Sequence, residues 1–436
     1  MSSAAYGFPG FTETVPDRPK ILIIAGSHGF PPTQARLSRP AEIAAALRES
    51  GAAVDLVLLE EKQLQPTEED AVDALRELVD EFELIRHPAL VSVVFQTVRR
   101  LRAAFSRRDR LGGRLHCPQA LTRLLRSKYA AREYRAVLAC GVHLAKALTV
   151  FPRWVEKLVD LQCLGADAHR SHDRLGRGDA LPAYSDATRE LSLLSLADVV
   201  LLTSVADTVR LRELGIRKDL VLAPPTGRLL VPSRRQYKVK VGEAPYFEPP
   251  RPPRILCVGS ETTANLDAVR WFRRQVYPRL VLTAPTCRLR LVGEVARHIE
   301  PGPGVDRIGW VDCLEEEYRD ATVVALPLRM GSGVRRRAVE ALTRGKALAT
   351  STVGAYGTGL EPQRDAIIAD DARTLALEIG RALVSEKLRQ DYEERALSVA
   401  RESFHQDHAL VPLAERLYLV SRQKSRVAAP QPVVTT

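Results

Sequence analysis

Residues 322–352 read TVVALPLRMGSGVRRRAVEALTRGKALATST, and this stretch holds a complete structural unit. An apolar run rich in valine and leucine ends at Pro327, which predicts a buried β-strand. The glycine turn at 331–333 follows, and apolar residues then recur at helical spacing up to Gly345. A second β-prone run closes the unit at 346–352. Strand, glycine turn, helix and strand in this order predict a βαβ unit with two parallel strands.

The same alternation of short apolar runs and helical periods extends in both directions from this unit. Several runs are apolar at every position, as expected for strands that helices cover on both faces of a parallel sheet. The predicted strands are 20–26, 53–59, 136–140, 157–161, 198–203 and 219–223 in the first half, and 254–260, 288–293, 305–310, 322–328, 346–352 and 366–369 in the second. The predicted helices include 38–50, 68–82, 118–131, 265–282 and 334–344. The pattern predicts an α/β protein with two doubly wound, Rossmann-like domains.

A proline-rich segment separates the two halves. Residues 224–253 contain eight prolines and no helical period, which predicts an interdomain linker. We therefore expect a flexible N-terminus, a first α/β domain with a basic helical excursion, the linker, a second α/β domain, a closing helix and a disordered tail. Their predicted bounds are 1–18, 19–223 with the excursion at 61–135, 224–253, 254–404, 405–423 and 424–436. Because ligands of open α/β sheets bind at the carboxyl ends of strands, the two sheets should face each other across a cleft.

Length and composition exclude several classes of protein. With 436 residues, 45% hydrophobic and 27% charged, the chain is in the globular range, which excludes a collagen, a coiled coil and a largely disordered protein. No uncharged apolar run is long enough for a spanning helix, and the N-terminus lacks the basic and apolar regions of a secretory signal. Six scattered cysteines without a C-x-x-C pair favour free thiols in a reducing cytosol over a zinc site. The expected location is cytoplasmic.

The glycine turn and the helix after it suit a nucleotide diphosphate. Gly331 and Gly333 let a phosphate approach the backbone, and the N–H groups and dipole at a helix N-terminus favour negative charge. Arg335 and Arg337 can add charge-assisted hydrogen bonds. Glu340, about two turns into the helix, can accept hydrogen bonds from ribose hydroxyl groups. The alternative is an exposed basic helix face on which a solvated Glu340 pairs with Arg336 or Arg344.

Three motifs of the second half resemble those of family 4 retaining glycosyltransferases. The family pattern G-x-G-x-R-x-K-x-x-E-A is similar to GSGVRRRAVEA at 331–341, and G-K-P-V-V-x-T followed by G-A-x-G is similar to GKALATSTVGAYG at 345–357. Residues 259–272, GSETTANLDAVRWF, resemble the family's opening glycine loop and its N-x-D-A-x-x-W-F helix. The resemblance is good over 254–410, weaker over 20–60 and 155–230, and absent at 61–135.

This resemblance implies a GT-B fold and transfer of a sugar from a nucleotide-diphosphate donor to a hydroxyl acceptor, with retention at the anomeric carbon. It also implies a hexosyltransferase that needs neither a metal ion nor a cofactor, with 19–223 as the acceptor-side domain and 254–404 as the nucleotide-sugar-binding domain. The donor-binding residues that it implies are Gly259, Asn265, Gly331, Ser332, Gly333, Arg335, Arg337, Glu340 and Gly354. Asn265 could instead cap the helix that begins near it.

The chain departs from the family pattern at three places. Ser332 stands where many members have a glutamate, Arg337 replaces the usual lysine, and residues 261–263 replace a basic pair. These departures leave open a degenerate GT-B protein that binds nucleotide or a partner without turnover. Another GT-B enzyme is a further alternative. An epimerase would need a richer cluster of carboxylates and histidines in the cleft, and a phosphorylase would need a cofactor lysine that the sequence does not reveal.

Histidines follow two of the predicted strands. His143 comes after the strand 136–140, where a histidine of GT-B transferases often approaches the transferred sugar, and it is the candidate catalytic residue. His169 and His172 follow the next strand and are its rivals. Their H-x-x-H spacing could bind a metal ion, but no carboxylate or cysteine set accompanies it, so no metal site is expected.

The loop 26–39 after the first strand contains Pro31, Pro32 and the arginines Arg36 and Arg39. Family members often carry a proline- and glycine-rich loop here, with an arginine that reaches toward the donor or the acceptor. This chain lacks the glycine pair, so an ordinary strand-to-helix loop is the alternative.

Most of the net charge of +11 lies in one segment. Residues 99–135 hold twelve basic and two acidic side chains, a net charge of +10. Such a cluster attracts anionic surfaces, which predicts peripheral attachment at the inner face of the membrane, with a solvated helical excursion as the alternative. Few aromatic residues interleave with the basic ones, so nucleic acid is not an expected partner.

Overall fold

Two parallel β-sheets, each with packed side chains on both faces, form the protein. The structure is a computed structural model. It describes residues 18–26, 39–60, 66–86, 117–130, 132–164, 187–227, 229, 252–311 and 313–417. This architecture confirms the predicted α/β class with two doubly wound domains.

The N-terminal sheet has seven strands. They are β1 Lys20–Gly26, β2 Ala53–Leu59, β3 Glu81–Ile85, β4 Ala136–Cys140, β5 Glu156–Leu161, β6 Val199–Leu202 and β7 Asp219–Leu222. All pair in parallel, in the order β3-β2-β1-β4-β5-β6-β7. Ile21 in β1 is aligned with Val54 on one side and with Ala136 on the other. The carboxyl ends of all seven strands therefore point to one edge of the sheet, which is where loops can form a site.

Strand β3 was not predicted from the sequence. We expected a helix over 68–82, whereas the helix ends at Glu77 and a strand begins at Glu81. The segment EFELI is short, carries two carboxylates and is only partly buried at the edge of the sheet. An edge strand of this kind lacks the continuous apolar run that identifies the central strands.

The C-terminal sheet has six parallel strands in the order β10-β9-β8-β11-β12-β13. Their bounds are β8 Arg254–Val258, β9 Arg288–Val292, β10 Val305–Gly309, β11 Val323–Leu326, β12 Leu348–Thr350 and β13 Ile367–Ile368. Each lies within a predicted strand.

Helices connect most of the strands. The α-helices are α1 Arg39–Glu49, α2 Pro66–Glu77, α3 Gln119–Leu124, α4 Ala187–Leu194, α5 Val205–Glu213, α6 Thr263–Trp271, α7 Tyr277–Thr283, α8 Leu314–Asp320, α9 Arg336–Thr343, α10 Thr352–Ala355, α11 Ala372–Val384, α12 Glu386–Ser403, α13 Gln406–Ala409 and α14 Val411–Arg416. Single π-helical turns follow α3 and α6, over Leu125–Tyr129 and Phe272–Val276. The segments Val142–Val150 and Glu294–His298 are 3₁₀-helices.

The C-terminal helices return to the first domain. Leu410, Leu413 and Leu417 are buried in the same core cluster as Ile21 and Ile23 of β1. We predicted one closing helix over 405–423, but the chain forms the two short helices α13 and α14 instead. Proline at the start of α14 fits the first turn of a new helix and cannot continue the preceding one.

Several predicted segments fall outside the described residues. They are the N-terminus up to residue 17, most of the loop 26–39, residues 61–65 and 87–116 of the excursion, most of the linker, the tail, and His169 and His172. Within the described ranges, no helix combines the length and the apolar character that crossing a bilayer requires.

Candidate functional site

The candidate site lies at the N-terminus of α9, where the sequence predicted a phosphate-binding turn. Gly331 and Gly333 have φ angles of 130° and 74°, which favour glycine, so the chain can turn sharply after β11. Arg335 is the N-cap residue of α9, and its guanidinium lies over this turn. A Cβ atom at position 331 would lie 2.0 Å from Arg335 Nη2, so only glycine leaves room for the arginine.

The Arg335 guanidinium is buried with unused donors. Among the described residues, its Nε and Nη2 atoms have no hydrogen-bond partner. Burial lowers the pKa of this group, and the nearby Cys163 thiol opposes that shift. A buried charge without acceptors costs free energy, and an anion would remove that cost by supplying both charge and acceptors. The hydrogen-bond donors at this turn therefore fit a phosphate group.

Glu340 lies one turn farther along α9 and is 7% exposed. Its Oε2 atom accepts a hydrogen bond from the Tyr318 hydroxyl at 3.0 Å and one from Arg337 Nη1 at 2.5 Å. The Arg344 guanidinium lies 4.6 Å from the centre of the Tyr318 ring. Burial and the Glu340 charge raise the pKa of the Tyr318 hydroxyl, so it stays protonated and acts as a donor. These contacts fix the orientation of the carboxylate.

Arg337 therefore has a different neighbour from Arg335. Burial opposes its charge, but Glu340 and Tyr318 outweigh burial and raise the pKa of Arg337. Both arginines were predicted as phosphate ligands. The structure places Arg337 on a buried Glu340, whereas the alternative paired a solvated Glu340 with Arg336 or Arg344. Only Arg335 presents unpartnered buried donors at the turn, within the residues that the structure describes.

Ser332 and Gly333 contact the N-terminal domain. The Ser332 hydroxyl donates to the carbonyl oxygen of Leu164 at 3.1 Å. A Cβ atom at position 333 would lie 2.4 Å from the carbonyl oxygen of Gln162, so the glycine permits close approach of the segment after β5. Both residues were predicted as donor ligands. In this structure, their contacts join the two domains at the glycine turn.

Two further side-chain contacts cross between the domains nearby. Arg336 Nη1 donates to Glu42 Oε1 on α1 at 2.6 Å, and the Tyr356 hydroxyl lies 3.1 Å from Asp207 Oδ1 on α5. Sequence analysis gave Arg336 only as an exposed neighbour for Glu340. Its partner lies 294 residues away in the chain, so no local pattern could reveal the pair.

The predicted residues of the opening glycine loop lie together after β8. Thr262, not Asn265, caps α6: its hydroxyl accepts the N–H of Asn265, which is in the first turn. The Asn265 side chain donates to the carbonyl and hydroxyl oxygens of Ser260, and it packs on Gly259. The alternative that Asn265 is the helix cap is therefore wrong.

Gly354 lies in α10, after β12. Its N–H donates to Ser351 Oγ, and a Cβ atom there would lie 2.1 Å from Thr350 Oγ1. Close packing against Thr350 therefore leaves no room for a side chain at position 354. The role of Gly354 in donor binding stays a prediction.

The comparisons with known proteins agree with this geometry. Residues 252–385 match the family model described as glycosyl transferases group 1. Sucrose-phosphate synthase from Thermosynechococcus elongatus has a similar structure, with a TM-score of 0.60, 17% identity, and alignment over 94% of this chain and 100% of that one. HepE from Anabaena, solved in complex with UDP and glucose, gives a TM-score of 0.58 at 14% identity, over 91% and 99% of the two chains. A TarM variant from S. aureus, in complex with UDP and other ligands, gives 0.62 at 9% identity, over 92% and 100%.

The fold is that of the GT-B glycosyltransferases. The matched model covers the C-terminal domain, which contains the glycine turn, Arg335 and Glu340. No curated protein matches the sequence. Membership of family 4 stays a prediction.

One ion pair close to the glycine turn in sequence was not predicted. Arg329 follows β11, and its guanidinium forms two hydrogen bonds to Asp267 on α6, at 2.8 and 2.7 Å. It also lies 5.7 Å from the centre of the Trp271 ring. The pair connects α6, which follows the opening glycine loop, to the segment that leads into the turn at 331–333. Asp267 lies inside the quoted N-x-D-A motif, but nothing in that motif indicates its partner.

His143 lies in the first turn of the 3₁₀-helix that follows β4, as expected for a residue at the carboxyl edge of the sheet. It is half-buried, and its ring covers Gly141: a Cβ atom there would lie 2.8 Å from His143 Cε1. Gly141 has a φ angle of 109°, which favours glycine, and a side chain at this position would clash with the His143 ring. His143 remains the candidate catalytic residue.

Arg39 does not reach into the cleft as a donor or acceptor ligand. It is 5% exposed, pairs with the buried Asp160 at 2.9 Å, and donates to the carbonyl oxygens of Ala223 and Pro224. It therefore connects α1 to the ends of β5 and β7 as a structural residue.

The described end of the basic segment is partly neutralised. Lys128 pairs with Glu83, and Arg132 pairs with Glu81 at 2.7 Å, both on the edge strand β3. The remaining arginines at 99–114 lie outside the described residues. No cluster of histidine, cysteine or carboxylate side chains that could hold a metal ion occurs in the described part of the chain.

Proposed function

We propose that the protein is a glycosyltransferase that moves a hexose from a nucleotide-diphosphate sugar to a hydroxyl acceptor, with retention at the anomeric carbon. The observation that carries the proposal is the buried Arg335 guanidinium, which lies at the N-terminus of α9 beside Gly331 with unused donors. The match of residues 252–385 to group 1 glycosyl transferases supports it.

Each residue of the site has a stated role in this proposal. Arg335 and the N–H groups of the first turn of α9 bind the diphosphate and stabilise its charge as it leaves. Glu340 accepts hydrogen bonds from the ribose, and Arg337 and Tyr318 hold its carboxylate in place. His143 faces the transferred sugar. The departing diphosphate itself accepts the proton of the acceptor hydroxyl, so little general-base machinery is required.

The donor is the partner that the site defines best. The HepE structure was solved with UDP and glucose, which makes UDP-sugars the first donors to test. The acceptor is a hydroxyl compound: a polysaccharide, a lipid-linked acceptor or a small molecule. We place the enzyme in the cytoplasm, with the basic segment 99–135 as its contact to an anionic membrane.

The test is a screen of UDP-, GDP-, ADP- and TDP-sugars by calorimetry and by donor hydrolysis. The proposal expects one nucleotide class to bind and its sugar to be released slowly as free hexose or transferred to an added acceptor. The Arg335→Ala variant should lose this binding. Lack of binding by every donor would overturn the proposal.

A second candidate is a GT-B protein that binds nucleotide without turnover. It is favoured by Ser332, whose hydroxyl bonds to Leu164 at a position where many family members have a glutamate. Nucleotide binding without hydrolysis or transfer, across a broad acceptor panel, would support this candidate over the enzyme.

A further inference from the structure

We propose that the ion pair between Arg336 and Glu42 is a latch that holds the two domains closed over the donor site. Arg336 is then a positioning residue for the transfer reaction. The inference rests on the proposed function for its consequence in catalysis, but the latch itself can be tested without a ligand.

The pair joins the two domains directly. Glu42 belongs to α1 of the N-terminal domain and its side chain is 4% exposed, whereas Arg336 belongs to α9 of the C-terminal domain and is 30% exposed. The Oε1 atom of Glu42 accepts from Arg336 at 2.6 Å. The other cation near this carboxylate is Arg39 at 3.7 Å, which is already bound to Asp160. Separation of the domains would therefore remove the main partner of Glu42.

The latch acts on the same helical turn as the phosphate site. Arg335 and Arg336 are adjacent, yet Arg335 lies over the turn at Gly331 and Arg336 reaches across to α1. A diphosphate on Arg335 and a carboxylate on Arg336 both hold the first turn of α9. If the donor binds the closed form more tightly, a contact that favours closure must strengthen donor binding in return.

The other contacts at this interface have a different character. Ser332 with Leu164 is a neutral hydrogen bond to backbone, Gly333 makes only a close approach, and the Tyr356 hydroxyl bonds to the Asp207 carboxylate without an ion pair between them. Truncation of one partner of a buried charge pair leaves the other charge unpaired, which is costly unless the site opens to water. Loss of Arg336 should therefore favour the open form, in which Glu42 is solvated.

The experiment compares the wild type with Arg336→Met, Glu42→Gln and the double variant. Arg254→Met is the control, because the Arg254 side chain is about as exposed as that of Arg336 and pairs with Asp320 inside the C-terminal domain. The radius of gyration is measured by small-angle scattering without ligand, and the affinity for UDP is measured by calorimetry.

We expect both single variants to have a larger radius of gyration and roughly ten- to hundredfold weaker UDP binding. We expect the control to match the wild type. The double variant should lose less binding free energy for UDP than the sum of the losses of the two single variants. Unchanged radius and UDP affinity in Arg336→Met and Glu42→Gln would overturn the latch. Failure of the wild type to bind any nucleotide would overturn the proposed function, while the ligand-free radii would still decide the latch.

Discussion

The hydroxyl of Tyr318 donates to the carboxylate of Glu340 at 3.0 Å, and the carboxylate also accepts from Arg337. Tyr318 comes from α8 and Glu340 from α9, so the contact fixes the two helices relative to each other as well as the carboxylate. A ribose bound at Glu340 would meet an oriented acceptor. Pre-orientation of this kind strengthens binding because the Glu340 side chain loses less conformational freedom when the ligand binds.

The Tyr318→Phe variant should weaken donor binding about tenfold, because Glu340 loses a hydrogen bond that orients it and that is worth roughly 1.5 kcal/mol. Tyr277→Phe is the control. The Tyr277 hydroxyl bonds to the carbonyl oxygens of Cys287 and Gly304 in the same domain, away from the glycine turn. Calorimetry and thermal melting of both variants check the prediction. Equal donor affinity in the two variants would contradict an orienting role for Tyr318.

Replacement of Glu340 by alanine should reduce donor affinity about ten- to hundredfold, since a charged hydrogen-bond acceptor for the ribose is removed. The substitution also removes the partner that Arg337 and the buried Tyr318 share. We therefore expect a lower melting temperature as well. Glu340→Gln, which keeps the shape, separates the two effects: its donor affinity should fall while its melting temperature falls less.

The fold was predictable because its central strands are continuous apolar runs. Strands such as Lys20–Gly26 and Ala136–Cys140 are buried on both faces, and that burial is visible in their composition. The edge strand Glu81–Ile85 was missed because it is short, carries two carboxylates and has no fully buried residue. The glycine turn at 331–333 was predicted as well, because few residues other than glycine adopt the positive φ angles that such a turn needs.

The side-chain partners of the site were not predictable, because they lie far apart in sequence. Arg39 pairs with Asp160, 121 residues away, and Arg336 pairs with Glu42, 294 residues away. Neither contact leaves a local signal of spacing or composition. The sequence could therefore identify the arginines of α9 as functional candidates but could not assign a different partner to each of them.

Arg335→Ala should abolish donor binding without lowering the melting temperature. In the free protein, the Arg335 guanidinium is buried and has hydrogen-bond donors without acceptors. Its removal should therefore eliminate the free-energy cost of that burial without breaking a contact. Arg337→Ala should behave in the opposite way, with a clear loss of stability, because it leaves Glu340 without its ion pair. Arg337→Lys should keep substantial activity, since lysine preserves the charge beside Glu340.

Melting curves and calorimetry on these three variants check the assignment. A fall in melting temperature for Arg335→Ala equal to that for Arg337→Ala would show that Arg335 also stabilises the free fold. That result would remove the main argument for a phosphate at the turn.

The last prediction concerns the basic segment 99–135. A cluster of basic side chains gains about 1 kcal/mol per residue near an anionic bilayer, and the gain falls as salt shortens the Debye length. We expect the purified protein to sediment with vesicles of anionic lipid at low salt and to be released at high salt. Reversal of four charges should abolish sedimentation and leave donor binding intact. The four substitutions are Arg99→Glu, Arg100→Glu, Arg107→Glu and Arg108→Glu.

The same segment supplies its own control. Lys128 and Arg132 already pair with Glu83 and Glu81, so their charges are largely compensated within the fold. The double variant Lys128→Gln with Arg132→Gln should therefore sediment almost as well as the wild type, although it removes two positive charges. Equal recovery on neutral and anionic vesicles would rule out the electrostatic mechanism. No recovery on either would assign the segment to the alternative, a solvated helical excursion.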